Sequence, residues 1–246
     1  MKTIVVFSGA GLSAESGVPT FRDSNGLWEN HKVEDVASPE GWARDMDTVL
    51  RFYEARFKGV KSCQPNAAHK AFANLESKYK VLHITQNIDD LLERAGCSHV
   101  THLHGSLVQR KCSKHKSCSV LDGDTNYTCT YKALQHEPVL KGELCPLCNS
   151  QLRPNVVWFG EAVSMPKNDC KDLVDEVVNT DGVFITVGTS AQVYPAAFLM
   201  QYFKPARRKY YIDKSADMRR HVYGYIDLEG EAGKLVPRLV DELLKE

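Results

Sequence analysis

Apolar residues along the chain fall into two rhythms, unbroken runs and runs that recur every three or four positions. Residues 3–7, Thr-Ile-Val-Val-Phe, carry no polar alternation, the pattern of a strand buried on both faces. Further strands are expected at 81–85, 182–187 and 209–212, with an extended stretch at 100–103 and a strand-like run at 156–159 that stops at Gly160. Between them the spacing changes. Met46, Val49, Leu50 and Tyr53 predict a helix over 45–57, Asn66 can cap one over 67–78, and Gly96 closes one over 89–95. Helices are also predicted at 172–179, 195–203 and 233–246, the last with Pro237 in its first turn, where proline is tolerated. Strands alternating with helices predict an α/β fold with a mostly parallel, doubly wound sheet.

Such a sheet binds ligands at the carboxyl ends of its strands. The loop after the first strand is Ser8-Gly9-Ala10-Gly11-Leu12-Ser13, small residues that let a backbone approach a phosphate, although no third glycine follows at the usual spacing. Pro19, Phe21 and Arg22 come next, a rigid turn bearing an aromatic ring and a cation. Residues 86–89, His104-Gly105, residues 188–190 and Asp213 end other strands and would converge on the same crevice, so a dinucleotide site is expected there. Asp213 stands where a carboxylate commonly accepts hydrogen bonds from ribose hydroxyls.

Composition narrows the classes. The 246 residues suffice for one large core with a small insert, and Lys+Arg and Asp+Glu number 31 each, so no global nucleic-acid footprint exists. No apolar run approaches the roughly 20 residues of a membrane span, and the first strand begins at once without room for a signal peptide. A cytoplasmic enzyme, monomeric and without membrane or nucleic-acid partners, is the expectation.

At residues 109–153 the apolar runs give way to lysines, turn residues and cysteines. The chain has eight cysteines. Cys145-Pro146-Leu147-Cys148 is a C-x-x-C pair, and Cys112 with Cys118 stands upstream, so four thiolates could take the corners of a structural zinc tetrahedron. The upstream spacing is wide, which leaves Cys129 or His115 as alternatives to Cys118. Cys63, Cys97 and Cys170 read as isolated buried thiols.

Gly9-Ala10-Gly11-Leu12-Ser13, Gly17-Val18-Pro19-Thr20-Phe21-Arg22, Thr85-Gln86-Asn87-Ile88-Asp89, His102-Leu103-His104-Gly105 and Val156-Val157-Trp158-Phe159-Gly160-Glu161 together resemble the motifs of sirtuins, the NAD-dependent protein-lysine deacylases. The likeness runs from residue 3 to the end and is greatest to compact bacterial members. It implies a Rossmann-like large part (1–25, 62–108, 154–246) and a small domain made of a helical insert (26–61) and a zinc module (109–153), with NAD and an acyl-lysine protein or peptide meeting between them.

By the same resemblance His104 is the catalytic base, with Asn87 and Asp89 beside it. Ala10, Gly11, Glu15, Phe21 and Arg22 would surround the nicotinamide half of NAD, Gln86, Asn87 and Asp89 its ribose and carboxamide, and Gly188, Thr189, Ser190, Asp213, Glu231 and Ala232 the adenosine half, with Gly9 and His104 also in the cofactor site. The family more often has asparagine at Asp213 and histidine at Asn155. Alternation would put His102 and His104 on one strand face, so spacing alone does not choose between them. Val157 and Trp158 would pair with the substrate main chain and Phe159 would wall the acyl-lysine channel. Tyr53 and Arg56, three apart on one helical face, resemble the pair that reads succinyl and malonyl carboxylates in some sirtuins, and the small Ala37 leaves room for them. Removal of acidic acyl groups and of acetyl is therefore expected, with an ADP-ribosyltransferase or NAD hydrolase as the alternative on the same scaffold.

Overall fold

The first strand, β1 (Thr3–Ser8), is buried along its whole length, and its alternate side chains feed two separate cores. Ile4 and Val6 pack on one face with α5 (Ala67–Leu75) and α9 (Ala232–Lys245), while Val5 and Phe7 pack on the other with α7 (Lys167–Asn179) and α8 (Phe198–Tyr202). A strand covered on both sides can be apolar at every position, which is why its pattern shows no alternation.

The computed structural model describes residues 1–20, 27–28, 31–116, 128–163, 167–190, 196, 198–215 and 224–246, with backbone alone for 27, 28 and 167–169. Parallel to β1 run β4 (Lys80–Thr85), β5 (Val100–His102), β9 (Val183–Val187), β10 (Arg208–Asp213) and β11 (Ile226–Glu229), in the spatial order β11-β10-β9-β1-β4-β5. Renumbered by their order in the chain, these strands give the doubly wound Rossmann arrangement, whose order reverses between β1 and β9.

A second body rests on three antiparallel strands, β6 (Gly105–Cys112), β7 (Lys132–Leu134) and β8 (Leu152–Val156), in the order β7-β6-β8. Short strands β2 (Leu27–Trp28) and β3 (His31–Lys32) and helices α2 (Val33–Val36), α3 (Pro39–Arg44) and α4 (Met46–Ser62) form the helical part. Asp45 starts α4 by accepting from Thr48 N, and Asn66 starts α5 by accepting from Ala68 N and His69 N. Two short helices remain: α1 (Gly11–Ala14), and α6 (Leu91–Ala95), which Gly96 closes in the left-handed conformation.

Several expectations need correction. The run at 156–159 is not a strand: β8 ends at Val156, because Val157 N turns to His104 O and Trp158 N is taken by the Glu161 carboxylate. Pro237 lies in the second turn of α9, which begins at Ala232, and so removes the bond its N–H would have given to Gly233. β6 and β8 each run through the points where composition changes, after 108 and before 154, so the break marks the onset of the cysteine module within continuous strands.

Gly105 is where the two bodies meet. Its φ is +78°, and a Cβ there would stand 1.9 Å from Asn155 O. Gly105→Ala is therefore expected to destabilise the fold by at least the ~1–3 kcal/mol of a strained backbone, several degrees of melting temperature by calorimetry. An unchanged melting temperature would contradict this packing.

Candidate active site

At the switch point the loops after β1 and β9 are laced by backbone bonds: Gly9 N to Val187 O at 3.0 Å and Gly11 N to Gly188 O at 2.8 Å. A Cβ on Gly188 would meet Leu12 N at 2.3 Å, and one on Gly11 would meet Gly188 Cα at 2.7 Å. The glycines thus serve the close approach of two protein loops. Across the same crevice Gln86 Nε2 donates to Thr189 Oγ1 at 2.8 Å, and Tyr211 OH holds the Thr189 carbonyl at 2.8 Å.

His102 and His104 do not share a strand face. His102 ends β5, and its imidazole spans Asn87 O (2.7 Å) and Glu93 Oε1 (2.7 Å). Burial pulls its pKa down, but Glu93 and the Asn87 carbonyl outweigh that and raise it. His104 sits in the turn before β6 with Nδ1 3.1 Å from Gln86 O. A carbonyl only accepts, so Nδ1 carries the proton and Nε2 keeps the lone pair. Burial lowers the His104 pKa, opposed by that hydrogen bond, so the ring is neutral at pH 7.

Asn87 and Asp89 meet at Ser13. Asn87 Nδ2 donates to Ser13 Oγ at 3.1 Å, and the Ser13 hydroxyl donates to the buried Asp89, whose carboxylate also accepts from Leu91 N at 3.2 Å. Burial raises the Asp89 pKa, and these hydrogen bonds hold it back. Behind Ser13 lies His69, 3.5 Å away through Nε2, with Nδ1 accepting from Asn66 N. Burial drives His69 down to about 4, so it is neutral and donates to Ser13 through Nε2. Sequence reading missed the Ser13–His69 pair. Its trace was the Asn66-x-x-His69 spacing, which is a capping box.

Gly9, Ala10, Gly11, Gln86, Asn87, Asp89, His104, Gly188, Thr189, Ser190 and Asp213 all end strands of the parallel sheet or follow them directly, except that His104 reaches the crevice from the turn into β6. Asp213 ends β10 and accepts from Ser215 N, and Gly230 N bonds its carbonyl. Glu231 caps α9, which Ala232 begins. Glu15 departs from the expected grouping: its Oε1 accepts from Gly233 N at 2.9 Å, so the carboxylate stands beside Glu231 and Ala232 at the start of α9. Phe21 and Arg22 lie outside the described residues.

Of the expected acyl-binding residues, Ala37, Tyr53 and Trp158 share one apolar cluster that does not include Val157, Arg56 is buried one helical turn from Tyr53, and Phe159 is half exposed with its N–H on Ala37 O at 2.9 Å. With Val157 N on His104 O and Trp158 N on Glu161, all three N–H groups of 157–159 are used internally. A peptide docked along Val157 and Trp158 would therefore address main-chain carbonyls. Beneath lies a buried charge network invisible to hydrophobic patterning: Arg153 Nη2 binds both Glu161 oxygens at 2.6 and 2.7 Å, Lys111 approaches at 3.7 Å, and the Arg153 guanidinium lies 3.4 Å from the Trp158 ring centroid. Asn155, without explanation in the sequence, donates to Gln109 Oε1 across β6 and β8.

Cys112, Cys129, Cys145 and Cys148 bring their sulfur atoms within 4.8 Å of one another. Cys112–Cys148 and Cys129–Cys145 are 3.4 and 3.6 Å apart, against about 3.8 Å for thiolates on ~2.3 Å bonds around tetrahedral Zn²⁺. Lys114 N, Tyr131 N and Leu147 N point at the sulfurs of Cys112, Cys129 and Cys145, donors suited to thiolates. Cys118 lies outside the described residues, and Cys129, one of its alternatives, takes the fourth corner, while His115 stands apart from the group. Cys97 and Cys170 are buried thiols as expected, with Cys97 raised to about 12 by burial, and Cys63 is only partly covered.

The family model described as Sir2 family matches residues 9–195. The chain belongs to the Sir2 family. Among its Sir2 relatives, an NAD-dependent protein deacylase of Shewanella oneidensis is 41% identical over 247 residues, 98% of this chain and 94% of the relative. Another, of Helicobacter pylori, is 44% identical over 216 residues, 88% and 86% of the two chains. A solved Sir2 homolog–NAD complex superposes with TM-score 0.80 at 37% identity, covering 99% of this chain and 90% of the other. A Sir2 variant with a deacetylated p53 peptide and 3′-O-acetyl ADP ribose matches at TM-score 0.72 and 26% identity, covering 98% and 93%.

For this Sir2 chain the four-sulfur cluster fits zinc in spacing and in its N–H donors. Cys129→Ser is expected to abolish stoichiometric zinc by metal mass spectrometry, and Cys118→Ser to retain it. The reverse result would reassign the fourth ligand. No helix among the described residues is long and apolar enough to cross a membrane.

Proposed function

We propose that this Sir2 chain is an NAD-dependent protein-lysine deacylase that removes succinyl and malonyl groups, and acetyl as well, yielding nicotinamide and O-acyl-ADP-ribose. The observation that carries the reading is His104 held through Nδ1 on Gln86 O, neutral and with Nε2 available, beside the Ser13–Asn87–Asp89 cluster at the switch point. The polar groups around the crevice, amide donors at Gln86 and Asn87, a hydroxyl at Thr189 and an accepting carboxylate at Asp213, suit a ligand rich in hydroxyl groups. Relatives named NAD-dependent protein deacylase support the deacylase part of this reading.

NAD, when bound, supplies a ribose carbon that becomes electrophilic as nicotinamide leaves. The chain's part is to hold the acyl oxygen of the lysine amide against that carbon, since an amide oxygen is a weak nucleophile unless positioned. Gln86, Asn87 and Asp89 would hold the inner ribose and the carboxamide, and Gly188, Thr189, Ser190, Asp213, Glu231 and Ala232 the adenosine end, with Glu15 joining the latter. His104 Nε2 would take a proton from a ribose hydroxyl as that hydroxyl attacks the acyl carbon. Tyr53 and Arg56 would receive the acyl carboxylate beside Ala37, with Phe159 at the channel wall. We place the acylated peptide between the large part (1–25, 62–108, 154–246) and the small domain (26–61, 109–153). A cytoplasmic, monomeric enzyme acting on acylated-lysine proteins, with no nucleic-acid partner, completes the reading. The free thiols among the described cysteines suit a reducing compartment.

Incubation with NAD and matched acetylated and succinylated peptides tests this. Nicotinamide release that requires an acylated peptide is the expected result. Release without peptide would instead indicate an NAD hydrolase or ADP-ribosyltransferase, and no release would exclude both.

A further inference from the structure

We infer that Trp158 is a positioning residue for acyl selectivity: its indole N–H fixes the Tyr53 hydroxyl so that the phenol hydrogen is given to an anionic acyl tail. This rests on the proposed reading of Tyr53 and Arg56 as the carboxylate receptor. Trp158 Nε1 lies 3.0 Å from Tyr53 OH. An indole can only donate, so the phenol oxygen is the acceptor in that bond and its own hydrogen is directed elsewhere. A carboxylate can only accept, so the fixed direction is the useful one.

Burial makes the arrangement firm. Trp158 is 3% exposed and Tyr53 1%, so water does not compete, and the same burial raises the Tyr53 pKa and keeps the phenol protonated. The indole itself is held on several sides. Arg153 stacks on its ring at 3.4 Å, the Glu161 carboxylate takes its main-chain N–H at 3.0 Å, and the Trp42 ring lies 5.5 Å away between centroids. A side chain so confined sets the orientation of the hydroxyl it touches. An acetyl group has no distal anion to receive that hydrogen, so the effect is confined to acidic acyl groups.

The test is a double-mutant cycle on succinylated and acetylated peptides with NAD. Trp158→Phe keeps an aromatic ring under Arg153 but removes the donor. The ratio of kcat/KM for succinyl over acetyl is expected to fall about tenfold, with the change in the succinyl KM. In a Tyr53→Phe background the same change should leave the ratio where Tyr53→Phe had already put it. A ratio unmoved by Trp158→Phe, or a further equal fall in the Tyr53→Phe background, overturns the inference while the receptor reading stands. Absence of succinyl hydrolysis in the wild type overturns that reading and this inference with it. Should Trp158→Phe fail to fold, the wild-type protein serves: its Trp158 indole ¹⁵N–¹H resonance, assigned by elimination with Trp28→Phe and Trp42→Phe, should shift on adding succinylated but not acetylated peptide. An equal shift with both overturns the inference.

Discussion

His104→Ala is expected to lower NAD-dependent deacylation by about 10²–10⁴-fold, the usual contribution of a positioned general base. The loss should fall mainly on formation of O-acyl-ADP-ribose. Peptide-dependent nicotinamide release should survive better, because the proton is taken after the glycosidic bond has opened. The pH profile gives a second check. Only the neutral imidazole can accept a proton, and burial holds His104 below the ordinary value of about 6.5. The wild-type kcat/KM should therefore rise with pH along a limb lying below pH 6.5 and be flat by neutrality. A limb centred above 6.5, or an alanine variant that retains product formation, would remove His104 from the role.

Arg56→Met should lower kcat/KM for succinylated peptide by about 10- to 150-fold, the equivalent of ~1.5–3 kcal/mol for hydrogen bonds to a charged group. Methionine roughly keeps the volume of a side chain that is 6% exposed, so the helical module should remain packed around it. Acetylated peptide has no distal carboxylate and should lose far less. Steady-state kinetics on paired peptides decides the point. Equal losses would mean that Arg56 supports packing alone. Its Cζ lies 5.8 Å from the centre of the Phe52 ring, which is the packing such a result would implicate.

The sheet was legible because its strands are covered on both faces and therefore spell continuous apolar runs. β8 was not: all five of its residues are buried, yet Arg153, Pro154 and Asn155 are held there by an ion pair, a covered edge and an amide bond to Gln109. β6 escaped for a similar reason, since buried Lys111 finds Glu161 where no local pattern would show it. β11 carries exposed Ile226 at the sheet margin and lacks an apolar run. Within the site, strand-end residues could be named from sequence because fold topology gathers them. The Ser13–His69 support and the Trp158–Tyr53 bond join residues 56 and 105 positions apart, beyond the reach of any periodicity. Among the cysteines, local spacing offered three candidates for the last zinc corner, and only the return of the chain beside β6 brings Cys129 to it.

β6 has the turn bearing His104 at its head and the metal-binding Cys112 at its tail, eight residues and about 25 Å away. A zinc ion held there would be too remote to touch any reactant, and would reach the proposed proton acceptor only along a strand whose pairing with β8 breaks register between Ser106 and Arg110. Stripping the metal should accordingly be felt first as misaligned chemistry at the far end of that strand, before the larger sheet gives way.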